Sequence, residues 1–177
     1  MPARIGTGRL VLRGWTEADA AWHRVLVTER AQPPDDPASY SATVCVEQRR
    51  RTATQGFGLY VVEVRAGPGP IGYCGLIVGR STLAEPELAY ELLHRAQGQG
   101  YATEAARAVV AAAAGAGISR LWATVGPWNG PSLRVLDKLG FRRDRVEGAG
   151  ADEVIWARLE LRPTPRADAR PGSAREG

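Results

Sequence analysis

The chain has 177 residues, 44% of them hydrophobic and 24% charged, with a formal net charge of +4, the profile of one soluble globular domain with a sizeable core. No apolar run reaches the roughly 18 residues of a membrane span, and Met1 to Arg9 lacks the apolar stretch of a signal peptide. Cys45 and Cys74 form no C-x-x-C and have no histidine beside them, so neither a metal site nor a redox motif is expected, and a cytosolic address is.

The basic excess gives no nucleic-acid surface. Arg162, Arg166, Arg170 and Arg175 near the C-terminus, against Asp168 and Glu176, supply +2 of the +4. Arg49-Arg50-Arg51 is the longest basic run, too short for a recognition patch and read as a solvated helix end.

In chain order, Arg9 to Arg13 alternates polar and apolar residues as a half-buried strand does. Thr16, followed by Glu17 and Asp19, predicts an N-cap and acidic first turn for a helix reaching about Glu29. Gln32 to Pro37 breaks it, and a second helix is predicted from near Pro37 to Thr52. Phe57–Val64 and Ile71–Val78, rich in β-branched and aromatic residues, predict a hairpin around the turn Arg65 to Pro70. Glu87–Leu93 predicts a fourth strand, and an alanine-rich helix follows over Tyr101–Ala116. Leu121–Val125 is a fifth strand, Pro131–Leu139 a helix stopped by Gly140, and Phe141–Val146 and Glu153–Leu161 the closing strands. The Pro/Ala/Arg/Gly-rich tail over 162–177 predicts disorder, leaving 1–161 as the domain. Strands around a strand–helix–strand centre make the class α+β, with a mixed sheet flanked by helices.

Gln97-Gly-Gln-Gly-Tyr-Ala102 lies between a strand and a helix. A helix start carries unpaired N–H groups and partial positive charge, and glycines let backbone approach an anion, so the segment fits a pyrophosphate cradle. It lacks the third small residue of a dinucleotide fingerprint, where Thr103 stands, and the Gly-Lys-Ser/Thr ending of a Walker loop. A plain glycine turn between strand and helix remains open on the loop alone.

Three further segments change that balance. Gln97-Gly-Gln-Gly-Tyr-Ala102 resembles the Q/R-x-x-G-x-G/A signature of GCN5-related N-acetyltransferases (GNAT), and Asn129-Gly-Pro-Ser132 with Lys138-Leu-Gly-Phe141 resembles their N-x-x-S…K-x-G-F block. Arg9 to Asp19 and Ile71 to Gly75 resemble the Rim-type branch, which acetylates protein N-termini. The resemblance spans Arg9 to Leu161 in family order. It implies a GNAT fold whose central sheet splays between the fourth and fifth strands, with acetyl-CoA as co-substrate and no metal. It implies further that the backbone of Gln97, Gly98, Gln99, Gly100, Tyr101 and Ala102, with Thr103, holds the pyrophosphate. Leu92 and Leu93 would pair with the pantetheine arm, and Asn129 and Ser132 would complete the CoA site. The acceptor it implies is a primary amine, on a protein N-terminus or a small molecule.

Acyl transfer to an amine needs a neutral nucleophile, a polarised carbonyl and a proton source for the thiolate. Period two puts Glu87 and Glu91 on one strand face, with Leu88, Tyr90 and Leu92 on the other. Glu87 sits where many relatives carry the base, so the resemblance makes it the candidate general base, or else it is a solvent-facing or hydrogen-bonded strand carboxylate, and Glu91 is its alternative. A backbone N–H near Tyr90 or Glu91 would meet the oxyanion, and Glu104 reads as a helix-dipole partner. The tyrosine that many family members carry seven residues after the asparagine is Leu136 here. Ser132 matches the serine used in the Rim-type branch, so the resemblance makes it the candidate acid; on the residues alone it is equally a helix N-cap. His94 reads as a loop residue, and four of the five tryptophans as core, with Trp128 a candidate wall of the acceptor pocket. The missing tyrosine leaves open a non-catalytic CoA-binding module on the same scaffold.

Overall fold

The computed structural model describes residues 1–162. The tail expected to be disordered therefore lies, apart from Arg162, outside the described residues.

Eight strands form one sheet among these residues: β1 (Arg4–Gly6), β2 (Leu10–Arg13), β3 (Leu59–Val64), β4 (Pro70–Ile77), β5 (Glu87–Leu92), β6 (Arg120–Val125), β7 (Arg142–Glu147) and β8 (Val154–Glu160), in the order β1-β2-β3-β4-β5-β6-β8-β7. Every neighbouring pair is antiparallel except β5 and β6, which are parallel. Four helices flank it: α1 (Ala20–Thr28), α2 (Pro37–Gln55), α3 (Tyr101–Gly115) and α4 (Gly130–Leu139).

One strand escapes the sequence reading. Arg4–Gly6 is only three residues long with glycine at its end, too short to show a period. It shifts the count, so the splay expected between fourth and fifth strands lies between β5 and β6. Arg49–Arg51 lies in the last turns of α2, at the solvated helix end expected of it, and these arginines pair with Glu17 and Glu47.

The helices divide between the sheet faces. The larger core lies under α3, where Ala105, Ala106, Val109 and Ala113 are fully buried together with Leu10, Leu12, Val62, Cys74, Leu76 and Leu121. Those alanines recur at helical spacing and have no bulk, so α3 lies close upon the strands and its start is held at the end of β5. On the opposite face Trp15, Cys45, Leu59 and Val61 pack with partly buried Trp22, Tyr73, Ile77 and Ala89. His23 is buried there with Nδ1 3.0 Å from Ser41 Oγ. Burial, with Arg30 nearby, pushes it down to about 4, so it stays neutral.

Arg13 fixes the start of α1 with two bonds of 2.8 Å to Asp19, which also accepts from the Thr16 amide at 2.6 Å and Trp22 Nε1 at 2.7 Å. Burial pulls the Asp19 carboxyl upward, but the bonds from Arg13, Thr16 and Trp22 outweigh it and hold it at about 2.

Candidate functional site

The site is set by how little β5 and β6 touch. They share the register pair Glu87↔Trp122, with the Trp122 amide donating to Pro86 O at 3.0 Å. Beyond it they diverge, and a cleft of about 230 Å³ opens between them, with Glu87, Tyr90, Thr124, Asn129, Ser132 and Leu136 among its lining.

Strand parity decides what β5 offers this cleft. Leu93 N–H donates to Ile71 O at 2.9 Å, so odd-numbered residues turn their backbone groups toward β4. Leu88, Tyr90 and Leu92 accordingly direct theirs toward β6; Leu88 still belongs to the Glu87↔Trp122 pairing, and beyond it no ladder takes those of Tyr90 and Leu92. The oxyanion donor expected near Tyr90 or Glu91 is thereby narrowed, because the Glu91 amide points to β4. Of the two pantetheine candidates, Leu92 faces the gap, whereas the Leu93 N–H is occupied. The Leu92 carbonyl accepts from Gln97 Nε2 at 3.0 Å, so the Gln97 side chain ties the glycine loop to the strand end.

Glu87 sits at the vertex, 3% exposed. Its Oε1 accepts from the amides of Arg80 and of Ser81, the latter at 3.0 Å, and its Oε2 accepts from Thr124 Oγ1 at 2.7 Å. Of the two readings of Glu87 as a plain strand carboxylate, solvent-facing fails and hydrogen-bonded holds; Oε2 keeps a lone pair at the cleft wall. Glu91 shares its face but is spoken for. Arg30 grips it with bonds of 2.8 and 2.6 Å, and Tyr73 OH donates at 2.7 Å. Burial pulls the Glu91 carboxyl upward, and the Arg30 and Tyr73 bonds outweigh it and hold it below its ordinary range, which leaves it a poor base.

At the far end of β5, Gly98 and Gly100 have φ of +74° and +80°, a region L side chains avoid. They turn the chain so that α3 begins at Tyr101, its first amides free of intrahelical partners. A Cβ at Gly98 would meet nothing within 4 Å, so the loop stands open above the helix start. Gln99 folds back on Arg95 O at 2.9 Å. A groove of about 660 Å³ runs from this loop over α3, with Thr103, Arg9, Arg107 and Lys138 in its walls. Glu104 is more than a dipole partner: it accepts from Thr7 Oγ1 at 2.6 Å, the Arg9 amide at 3.0 Å and Arg9 Nε at 2.6 Å. These bonds pin the β1–β2 turn to the helix, with the Arg9 guanidinium 4.6 Å from the Tyr101 ring centre.

Asn129 is the N-cap of α4, its Oδ1 accepting the Ser132 amide at 3.1 Å. Ser132 therefore does not cap that helix; it stands in the first turn, facing the cleft. Leu136 lies one turn on, 3% exposed. His94 is exposed, its amide bound by Glu29 at 2.7 Å. Trp128 is 78% exposed and lies against Gly126, where a Cβ would come within 2.5 Å of its Nε1. Tyr90, Thr124 and Arg30 were not singled out by sequence. Period two had placed Tyr90 among core-facing residues, and nothing local marked its hydroxyl.

The model of the GNAT acetyltransferase domain matches residues 9–142. The chain belongs to that family. It is thus an acetyl-CoA-dependent acyltransferase by family, and the eight-stranded open sheet with four helices is the GNAT fold. No curated protein sequence matches the chain. Among solved structures it is similar to an acetyltransferase from Agrobacterium tumefaciens str. C58, with 26% identity, a TM-score of 0.77, and coverage of 91% of this chain and 95% of that one. It shares its fold with Mycobacterium smegmatis RimJ in complex with CoA-disulfide at 21% identity and TM-score 0.72, over 94% of this chain and 88% of that one. The ribosomal-protein-S5-alanine acetyltransferase from Vibrio fischeri shares it too, at 15% identity and TM-score 0.75, over 90% and 97%. RimJ and the S5-alanine acetyltransferase thus share this chain's fold.

Proposed function

We propose that the protein transfers the acetyl group of acetyl-CoA to a primary amine by direct attack within the β5–β6 cleft. The observation that supports this most is the join of two features at one strand: a glycine loop leading into a helix start, and a cleft lined by Glu87, Asn129 and Ser132. The open loop at Gly98 and Gly100 and the cations Arg9, Arg107 and Lys138 suit the phosphates of CoA. The backbone of Leu92 and Tyr90 suits an extended pantetheine arm. Bound there, acetyl-CoA supplies an activated acyl group.

The residues then divide the work. Glu87 Oε2 takes the proton that the amine sheds as its nitrogen bonds to the acyl carbon, directly or through a water. The Tyr90 N–H donates to the oxyanion, and Asn129 holds α4 so that Ser132 faces the leaving sulfur as acid. Carboxylates as a class are weak bases, which suits an acceptor already partly neutral. A peptide α-amine, with an ordinary pKa near 8, meets that condition better than a lysine-like amine near 10.4. We therefore place N-terminal peptides and small molecules with weakly basic amines ahead of alkylamines. The shared fold of a ribosomal-protein-S5-alanine acetyltransferase supports a protein acceptor. Among the described residues no helix is long and apolar enough to cross a membrane, so a cytoplasmic setting fits.

Titration calorimetry with CoA and acetyl-CoA tests the cradle. Micromolar binding is expected, lost in Gly100→Trp while the circular dichroism spectrum is kept. Thiol release should then appear with N-terminal peptides. No binding by the folded wild type refutes the enzyme reading, and binding without turnover on any amine supports a non-catalytic CoA module instead.

A further inference from the structure

The reaction proposed above leaves the departing sulfur with Ser132 as its one assigned partner, since Leu136 presents only hydrocarbon. The structure places a second hydroxyl in the same cleft. Tyr90 projects from β5 toward α4, and its OH reaches across the gap to Ser132 O at 3.1 Å. It lines the cleft beside Ser132, Leu136 and Asn129. Tyr73, the other phenol there, comes from β4, is bound to Glu91 at 2.7 Å and sits on the opposite face of the sheet, toward α1 and α2.

We propose that the Tyr90 hydroxyl donates a hydrogen bond to the sulfur of CoA as the thioester breaks, occupying the role for which Leu136 has no group. This assignment rests on the acetyltransfer reading. Tyr90 is well placed to exchange partners, because its bond to a neutral carbonyl is longer than the usual 2.7–2.8 Å of an O–H···O bond. A thiolate is charged and is the better acceptor. The ring is anchored among Leu88, Leu92 and the α3-side core, so the hydroxyl is presented in one place.

The bookkeeping of atoms gives Tyr90 a donor role without proton loss. The amine nitrogen bonds to the acyl carbon, the C–S bond breaks, and its electron pair goes to sulfur. The nitrogen's proton leaves toward Glu87. Burial pushes the Tyr90 phenol up to about 12, well above a free thiol near 8.5. Tyr90 therefore keeps its proton and stabilises the developing thiolate, which is protonated by way of Ser132, the serine regaining its proton from solvent.

The test is Tyr90→Phe, which keeps the ring and deletes the donor. Calorimetry should show CoA affinity within about threefold of wild type, while kcat falls about ten- to a hundredfold, the range for a bond to a charged group. The ultraviolet absorbance of the thiolate gives a readout independent of the acceptor. CoA bound to wild type should ionise about one to two pH units lower than CoA bound to Tyr90→Phe. A fluorotyrosine at position 90 should shift that ionisation lower still, and it serves if the phenylalanine variant fails to fold. Unchanged kcat and unchanged thiol ionisation in these variants overturn the assignment, and a loss seen only in Ser132→Ala assigns the donor to Ser132 instead. Wild type that binds no CoA overturns the acetyltransfer reading itself, a separate result from the same calorimetry.

Discussion

Replacing Glu87 by glutamine separates two duties that the vertex of the cleft combines. The carboxylate holds the Arg80–Ser81 backbone through Oε1 and Thr124 through Oε2. An amide in its place keeps both backbone bonds, now to a neutral oxygen, and meets the Thr124 hydroxyl as a donor. Bonds to charged groups contribute about 1.5–3 kcal/mol and neutral ones about 0.5–1.5. The exchange therefore costs about 1 kcal/mol for each backbone bond, or about 2 kcal/mol in all. For a chain of this size that lowers Tm by about 4–8 °C. The effect on rate is set by different chemistry, because a general base contributes about 10²–10⁴-fold. Thermal unfolding gives the first number, and thiol release from acetyl-CoA against pH gives the second. Glu87→Gln should lose kcat/KM at every pH and retain only the limb that reports ionisation of the amine. A variant with the expected Tm and with kcat/KM within about threefold of wild type refutes Glu87 as the base and leaves it a brace.

Other outcomes follow from the same geometry. Asp19 is held at about 2 against an ordinary 3.8, so its bonds stabilise the fold above the unfolded value and lose effect as pH falls through the folded one. Asp19→Asn should lose about 2 kcal/mol at pH 7 in urea unfolding, a deficit that shrinks between about pH 5 and 1 and vanishes below both values. Gly100→Ala forces a Cβ into φ of +80° at a cost of about 1–2 kcal/mol, and calorimetry should show weaker CoA binding as the Tyr101 amide turns away. Asn129→Ala removes the α4 cap and should cost about 1 kcal/mol in thermal unfolding, with kcat reduced because Ser132 loses its anchor.

The sequence carries the fold unevenly. Alternation, composition, caps and breakers mark every strand and α-helix of the described residues except Arg4–Gly6, and the glycine loop marks the helix start that ends at the cleft. The two glutamates of β5 also read correctly as one face. What they do there was hidden, because Arg30 lies 61 residues from Glu91 and Thr124 lies 37 residues from Glu87. Contacts at such separations leave no local pattern. Glu104 shows the same limit: its first-turn position suggests the helix dipole, yet Thr7 and Arg9 claim it from 97 and 95 residues away.

The chemistry gathers on β5 because a strand sorts its atoms three ways. Odd side chains, Glu87 and Glu91, face α1 and α2. Even side chains, Leu88, Tyr90 and Leu92, face α3 and α4. Even amides point in the plane of the sheet toward β6, and they are available only because the parallel pairing stops after Glu87↔Trp122. Base, oxyanion donor and thiolate donor can thus come from residues 87 and 90 of one short strand. A one-residue slip of β5 against β4 would exchange the two faces and turn the free amides inward. The antiparallel ladder from Gly72↔Leu92 to Ile77↔Glu87 is therefore what orients the proposed site, to which α4 and its cap add Asn129, Ser132, Leu136 and Lys138.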